Sequence, residues 1–298
     1  MLRHRLALGP VLVALVVVGL WFDERLDASP IPESLRGLFG GRVDFPPGSF
    51  IFLALLVITF LASRELAHIL ADNGIAGSKR VTTTAAFSGL LLSCFVPESV
   101  DGVTGAALVS TGAVMVLMGS LIFYSRKRTF EGIVAAAGGT LLAFVYLGLM
   151  LGFILVIRRE HSAWVVLWVL LVVKCSDIGA FFTGITIGRH KLIPWLSPGK
   201  TWEGLAGGVV FAALVGAVGA WVLQRAGVPR SPGVGLGAVC GAVFALVGQA
   251  GDLAESLFKR DAGIKDSGRW LPGFGGVLDL LDSVLMVAPV AYWLLRGV

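Results

Sequence analysis

The sequence predicts an all-α, polytopic integral membrane protein with about nine transmembrane helices and a cytoplasmic N-terminus. Three observations carry this prediction. Of the 298 residues, 56% are hydrophobic and only 14% are charged, with a mean hydropathy of +0.87, whereas a soluble domain carries about 25% charged residues. The apolar residues come in runs of about 20, the length that crosses a bilayer core, rather than in the stripes of a soluble helix. The chain also holds 40 glycines, small residues that let membrane helices approach closely.

The first apolar run, 6–22, follows Arg3-His4-Arg5. It is long for a signal-peptide core and no Ala-x-Ala site follows, so it reads as a retained span. Residues 23–48 contain Pro30, Pro32, Pro46 and Pro47 and read as a surface loop or short interfacial helix. Further spans are expected at 49–71, 83–97, 104–124, 132–156, 163–185, 204–223, 233–257 and 274–295. The 83–97 run is short and tinged with Ser and Thr, and the last two runs carry polar ends. No internal repeat appears. Residues 1–130 form N-terminal helices and 131–298 a C-terminal catalytic region of one continuous membrane domain.

Placing the N-terminus inside puts fourteen Lys and Arg residues in inner segments and eight in outer ones. This bias is the one that cytoplasmic loops show. Arg158-Arg159 is its exception, lying on the outer side. Both polar motif regions, 186–203 and 259–273, then face the cytoplasm, where nucleotides are. The net charge of +5 and pI near 9.4 are accounted for by loops that meet anionic headgroups. No basic patch interleaved with aromatics suggests nucleic acid. Cys94, Cys175 and Cys240 are widely spaced in apolar segments, which excludes a disulfide framework or zinc site. His4, His161 and His190 lack partners at metal-ligand spacing. Arg64, Glu65 and His68 read as snorkelling or locally paired residues at the end of the second span.

The charge is concentrated in Ser256–Ser283, SLFKRDAGIKDSGRWLPGFGGVLDLLDS. On a helix, Asp252, Glu255, Ser256 and Lys259 share one face. A polar turn with Lys265, Asp266 and Ser267 follows, and Gly273, Gly275 and Gly276 lead into a helix bearing Asp279 and Asp282. Carboxylates supply the hard oxygen ligands a divalent cation needs, and lysines neutralise charge moving onto a leaving pyrophosphate. Glycines let backbone N–H groups approach phosphate oxygens. Ionisable groups at membrane depth are costly and point to function. A second constellation lies upstream. Lys174 stands one turn before Asp177 and can pair with it, and Ser197, Lys200 and Thr201 offer a cation and two hydroxyls. This segment lacks the GxxxxGK[ST] spacing of a P-loop.

Together these blocks resemble the CDP-diacylglycerol synthases, or phosphatidate cytidylyltransferases, whose signature reads S-x-x-K-R-x-x-x-x-K-D-S-G-x-x-L-P-G-H-G-G-x-x-D-R-x-D. Ser256, Lys259, Arg260, Lys265, Asp266, Ser267, Gly268, Leu271, Pro272, Gly273, Gly275, Gly276, Asp279 and Asp282 stand in register. Gly251-Asp252-Leu253, Asp177-x-Gly179-Ala180-Phe181 and Ser197-Pro198-x-Lys200-Thr201-x-Glu203-Gly204 look like further family motifs. Phe274 replaces the family His, Leu280 the family Arg, and Gly199 a Lys.

The resemblance implies that phosphatidic acid attacks the α-phosphorus of CTP, giving CDP-diacylglycerol and pyrophosphate. It implies a Mg2+ requirement, with room for a second metal ion. The metal site is expected on Asp252 and Asp279 first, then Asp282, with Asp266 beside them. Lys259, Lys265 and Arg260 would hold phosphates, and Asp177, Ser197, Lys200, Thr201, Glu255, Ser256, Ser267 and the glycines would complete the substrate pocket. A homodimer is compatible with this reading. The departures raise the alternative of a diverged paralogue that is non-catalytic or takes another lipid phosphate. An ion-coupled transporter using Asp177 and Asp252 is a third class, disfavoured because the charge lies in the C-terminal half rather than in paired repeats.

Overall fold

The computed structural model describes residues 2–27, 29–37, 41–95, 102–126, 130–268 and 275–298. Every expected span coincides with a helix. In order they are α1 (Leu2–Leu26), the short α2 (Glu33–Arg36), α3 (Ser49–Asp72), α4 (Lys79–Phe95), α5 (Gly102–Ser125) and α6 (Ile133–Leu142). A π-helical segment, Ala143–Leu149, joins α6 to α7 (Met150–Glu160). Then come α8 (Ala163–Ile187), α9 (Trp202–Arg225), α10 (Val234–Asp261) and α11 (Val277–Leu295). Among the described residues, seven helical stretches are long and apolar enough to cross a membrane, so nine spans is an approximate count. The expected 83–97 span, α4, is only 17 residues long, and α1 is not among the seven.

One departure from an all-helical chain is a small antiparallel hairpin, β1 (Lys191–Ile193) and β2 (Ser197–Thr201), set between α8 and α9. It pairs Lys191 with Thr201 and Ile193 with Ser197. Thr201 ends the hairpin by capping α9, its hydroxyl accepting the Gly204 N–H at 3.1 Å. The same hairpin thereby sets the direction of the next membrane helix.

Small residues bring the helices of the C-terminal half together. A Cβ on Gly216 of α9 would lie 2.2 Å from the Gly237 carbonyl oxygen of α10, so only glycine permits this crossing. At α10 and α11, a Cβ on Gly251 would lie 2.5 Å from the Asp282 carbonyl oxygen. This contact sets Asp252, the next residue, beside the helix that bears Asp282. The core between these layers is aliphatic and aromatic, with Leu66, Leu151, Val172, Phe244 and Leu285 fully buried.

The acidic end of α1 explains the Arg158 exception. The Arg158 guanidinium is buried and donates to Asp23 at 2.6 Å and to Asp27, with Glu24 3.3 Å away. Asp23 also accepts the N–H groups of Phe50 and Ile51 at 2.9 and 3.0 Å, capping α3. Glu24 accepts from Ser162 Oγ and the Ala163 N–H at 2.8 and 2.7 Å, at the start of α8. Arg158 is thus an internally neutralised tie and not a free loop charge. At helix ends on the same expected outer side, Arg25, Arg225 and Arg296 lie over Trp21, Trp221 and Trp293 at 5.4, 5.6 and 5.0 Å. Such aromatic–cation pairs suit the headgroup region.

Candidate active site

The last two turns of α10 bear out the single polar face expected there. Ser256 Oγ lies 3.5 Å from Asp252 Oδ1, and Lys259 Nζ donates to Glu255 Oε2 at 2.9 Å. Lys259 also donates to Asp279 Oδ1 at 2.6 Å, which ties α10 to the first turn of α11. Glu255 has no solvent exposure and Lys259 and Asp279 little, so water screens these ion pairs only weakly.

Asp279 is close to saturated. Besides Lys259, its Oδ2 accepts the Ser267 N–H at 2.9 Å, the Ser267 hydroxyl at 2.8 Å and the Gly276 N–H at 2.8 Å. It caps its own helix from the third position and holds the preceding loop. Gly275, at φ +90°, occupies the left-handed region that favours glycine, and a Cβ there would lie 2.4 Å from Asp279 Oδ2. A Cβ on Gly276 would lie 2.3 Å from Ser267 Oγ and 2.4 Å from Glu65 Oε2. Gly275 and Gly276 are therefore required by two carboxylates packed against the backbone.

The second of these carboxylates, Glu65, lies outside the set drawn from the sequence. It belongs to α3 and is buried. It accepts the Val277 and Leu278 N–H groups at 2.9 and 2.8 Å and the Ser267 hydroxyl at 3.2 Å. The expectation of a snorkelling or locally paired residue is corrected here: Glu65 pairs with the helix terminus across the bundle, where free N–H groups and the helix dipole favour an anion. Its neighbours behave as expected, with His68 3.9 Å from Asp72 and Arg64 over Phe60 at 5.5 Å. The sequence signal for Glu65 was an acid, beside Arg64 and His68, near the end of a largely apolar span.

A second lysine–carboxylate pair stands beside the first. Lys200 of β2 reaches Asp252 Oδ2 at 2.6 Å. Its ammonium is closed to solvent and makes no hydrogen bond of good geometry. Lys174 and Asp177 pair at 3.7 Å on α8. Asp177, Asp252 and Asp282 lie within electrostatic reach of one another. Two cations and three carboxylates from α8, α10, α11 and the hairpin therefore share one region. Among the described residues, no three His, Cys, Asp or Glu side chains converge into a ready-made metal cage.

A sequence profile of the Cytidylyltransferase family matches residues 43–298. The chain belongs to that family. It is similar to proteins named phosphatidate cytidylyltransferase from several bacteria. The Mycobacterium bovis protein is 34% identical, with 82% of this chain and 79% of that one covered. The Staphylococcus haemolyticus protein is 34% identical over 82% of this chain and 88% of its own. The Synechocystis protein is 31% identical over 83% and 88%.

In this cytidylyltransferase the remaining motif residues take other positions. Lys265 and Asp266 are exposed, just before Ser267, which bonds to Asp279. Arg260 is exposed and donates to the Ile264 carbonyl at 3.2 Å, closing the end of α10. The Thr201 hydroxyl is engaged in capping, and Ser197 is half-buried in β2. Gly273 and Phe274 lie outside the described residues. Leu280, where the family carries Arg, is half-buried beside Asp279, which already has Lys259 as its cation.

Proposed function

We propose that this chain makes CDP-diacylglycerol by joining CTP to phosphatidic acid, at a site that faces the cytoplasm and uses Mg2+. The observation that carries this reading is the two ion pairs Lys200–Asp252 and Lys259–Asp279, both at 2.6 Å and two turns apart along α10, in a membrane bundle of the cytidylyltransferase family. A lipid substrate needs such a bundle. A trianionic leaving group needs cations held in a low-dielectric site.

In the reaction, an oxygen of the phosphatidate phosphate forms a bond to the α-phosphorus of CTP. The bond from that phosphorus to the bridging oxygen breaks, and its electron pair leaves with pyrophosphate. A phosphate monoester has its second pKa near 6, so the nucleophile is already ionised at neutral pH. The carboxylates are then free for other tasks. Lys259 and Lys200 neutralise charge on the departing pyrophosphate.

The donor set fits a hard divalent cation. Among the described residues, Ser256 alone hydrogen-bonds to Asp252 Oδ1, at 3.5 Å, and Asp177 and Asp282 lie within electrostatic reach. Asp252 and Asp282 would hold the ion, with Asp177 in support. Asp279 would join them once Lys259 moves from Oδ1 to a phosphate. The metal supplies charge neutralisation on phosphoryl oxygens. The predominance of Lys and Arg in segments on the site's side of the membrane supports cytoplasmic access.

The test is Mg2+- and CTP-dependent release of pyrophosphate by the purified chain with phosphatidate in detergent micelles. Turnover that Asp279→Ala abolishes supports the reading. No turnover, with Asp279→Ala indistinguishable from the parent chain, overturns it in favour of a non-catalytic relative.

A further inference from the structure

Tyr146 lies at the middle of the π-helical segment and is 4% exposed. π-turns are rare and recur at functional sites. This one is fixed in place by α4. A Cβ on Gly148 would lie 2.5 Å from the Ala86 carbonyl oxygen, and one on Gly89 would lie 2.4 Å from that of Phe144. The Tyr146 backbone cannot shift without parting two elements in backbone contact. Its ring packs edge-on against Phe258 at 5.8 Å, next to Lys259.

The Tyr146 hydroxyl is closed to solvent and has no hydrogen-bond partner among the described residues. It lies within electrostatic reach of Glu255, then Asp282 and Asp252. A buried phenol without a partner is costly and calls for an explanation. Of the other buried donors in this condition (Thr59 Oγ1, Lys200 Nζ and Gln249 Nε2), Lys200 makes only the ion pair with Asp252, and Gln249 stands one turn before Asp252 on α10. An unfilled buried donor calls for an acceptor, and a phosphoryl group presents only acceptors.

We propose that the Tyr146 hydroxyl contacts substrate, donating a hydrogen bond to a phosphoryl oxygen bound between α10, α11 and the π-segment. The inference rests on the cytidylyl-transfer reading, because CTP and phosphatidic acid are the two sources of that phosphate. Its rival within the protein is Glu255 Oε1, which is also buried and unpaired. A Tyr146–Glu255 bond would be structural and would leave kinetics untouched.

Tyr146→Phe keeps the ring against Phe258 and removes only the oxygen. The purified variant is compared with the parent chain in detergent for melting temperature, for steady-state kinetics and for the melting shift produced by CTP or by phosphatidate. The expected result is an unchanged or raised melting temperature with kcat/KM lower by tenfold or more, the scale of a hydrogen bond to a charged acceptor. A rise confined to the KM for CTP assigns the contact to the nucleotide, and one confined to phosphatidate assigns it to the lipid. Unchanged kinetics together with unchanged ligand shifts overturn the proposal, with or without a loss of melting temperature. If the parent chain itself does not turn over, the transfer reading fails, and the ligand-induced melting shifts decide Tyr146 on their own. A shift diminished in Tyr146→Phe sustains the contact, and an equal shift overturns it.

Discussion

Glu65 accepts the backbone N–H of Leu278 at 2.8 Å, joining positions 213 residues apart. The bond, with those from Val277 and Ser267, fixes where α11 begins and so where Asp279 points. An anion at this terminus satisfies two of the orphan N–H groups every helix start carries. Glu65→Ala strands those donors in a buried site, at a cost of roughly 3 kcal/mol. The melting temperature should fall and turnover should be lost. Glu65→Gln keeps one acceptor oxygen and should recover part of both. If Glu65→Ala melts and turns over like the parent chain, the carboxylate is not organising the site.

Gly276→Ala tests the same junction from the backbone side. The added methyl would lie 2.3 Å from Ser267 Oγ and 2.4 Å from Glu65 Oε2, closer than real Cβ contacts. Both groups also hold the helix start, so neither can yield cheaply. We expect turnover to drop by at least tenfold, with little change in expression. The control is Gly235→Ala, because a Cβ at Gly235 meets nothing within 4 Å. Equal turnover by the two variants would show that the junction tolerates displacement.

Much of this was legible in the sequence, and what was not has a physical reason. Runs of apolar residues gave every long helix, because spanning a bilayer demands length and hydrophobicity that composition displays directly. The α10 face was legible because a helix puts residues three and four apart together. Glu65 was not, since its partners are backbone N–H groups of a distant helix that have no sequence identity to read. The Arg158 tie was obscured for a similar reason: its acids lie at the end of α1, over 130 residues away. The π-segment is uniformly apolar, so its extra residue disturbs no pattern. The hairpin strands, of three and five residues, are too short to show alternation.

Lys259→Met should be more damaging than its isosteric shape suggests. Lys259 is the shared cation of Glu255 and Asp279, at 2.9 and 2.6 Å. Removing one member of a buried ion network leaves charges uncompensated, at about 3–5 kcal/mol. The double variant Lys259→Met/Glu255→Gln removes one of the stranded charges and should recover melting temperature without recovering turnover. Restoration of both would reduce Lys259 to a structural role.

The junction of α7 and α8 offers a pH test independent of activity. His161 lies between α7 and α8, and its Nδ1 is 3.0 Å from the Arg230 carbonyl oxygen. Burial holds its imidazole below the ordinary value of 6.5, against the raising effects of that hydrogen bond and of Glu160. The unfolded chain therefore binds a proton before the folded one does. Stability from this group is complete above about pH 7.5 and is lost as pH falls through 6.5 towards the folded value. His161→Asn keeps a donor for Arg230 and cannot titrate. The melting-temperature difference between parent and variant should widen in favour of the variant from pH 7.5 to 5.5. A difference independent of pH would mean that His161 is protonated equally in both states.

The Lys200–Asp252 pair makes a prediction whose two halves have opposite signs. At 2.6 Å, the ammonium occupies Asp252, a carboxylate assigned to the divalent cation in the proposed site. On that proposal the lysine and a bound metal would compete for it in the resting protein. In the proposed transfer the lysine would turn to phosphate and leave the carboxylate available to hold the metal. Lys200→Met removes the competitor and the phosphate contact together. The Mg2+ concentration giving half-maximal turnover should therefore fall severalfold, while kcat falls by a hundredfold or more, in the range lost with a single preorganised charge-stabilising donor. Asp252→Asn should lower kcat as well, but raise the Mg2+ requirement. A Mg2+ titration of the three chains under saturating CTP and phosphatidate separates the cases. A raised Mg2+ requirement in Lys200→Met would mean that the lysine helps to assemble the metal site, and that the resting ion pair does not compete with it.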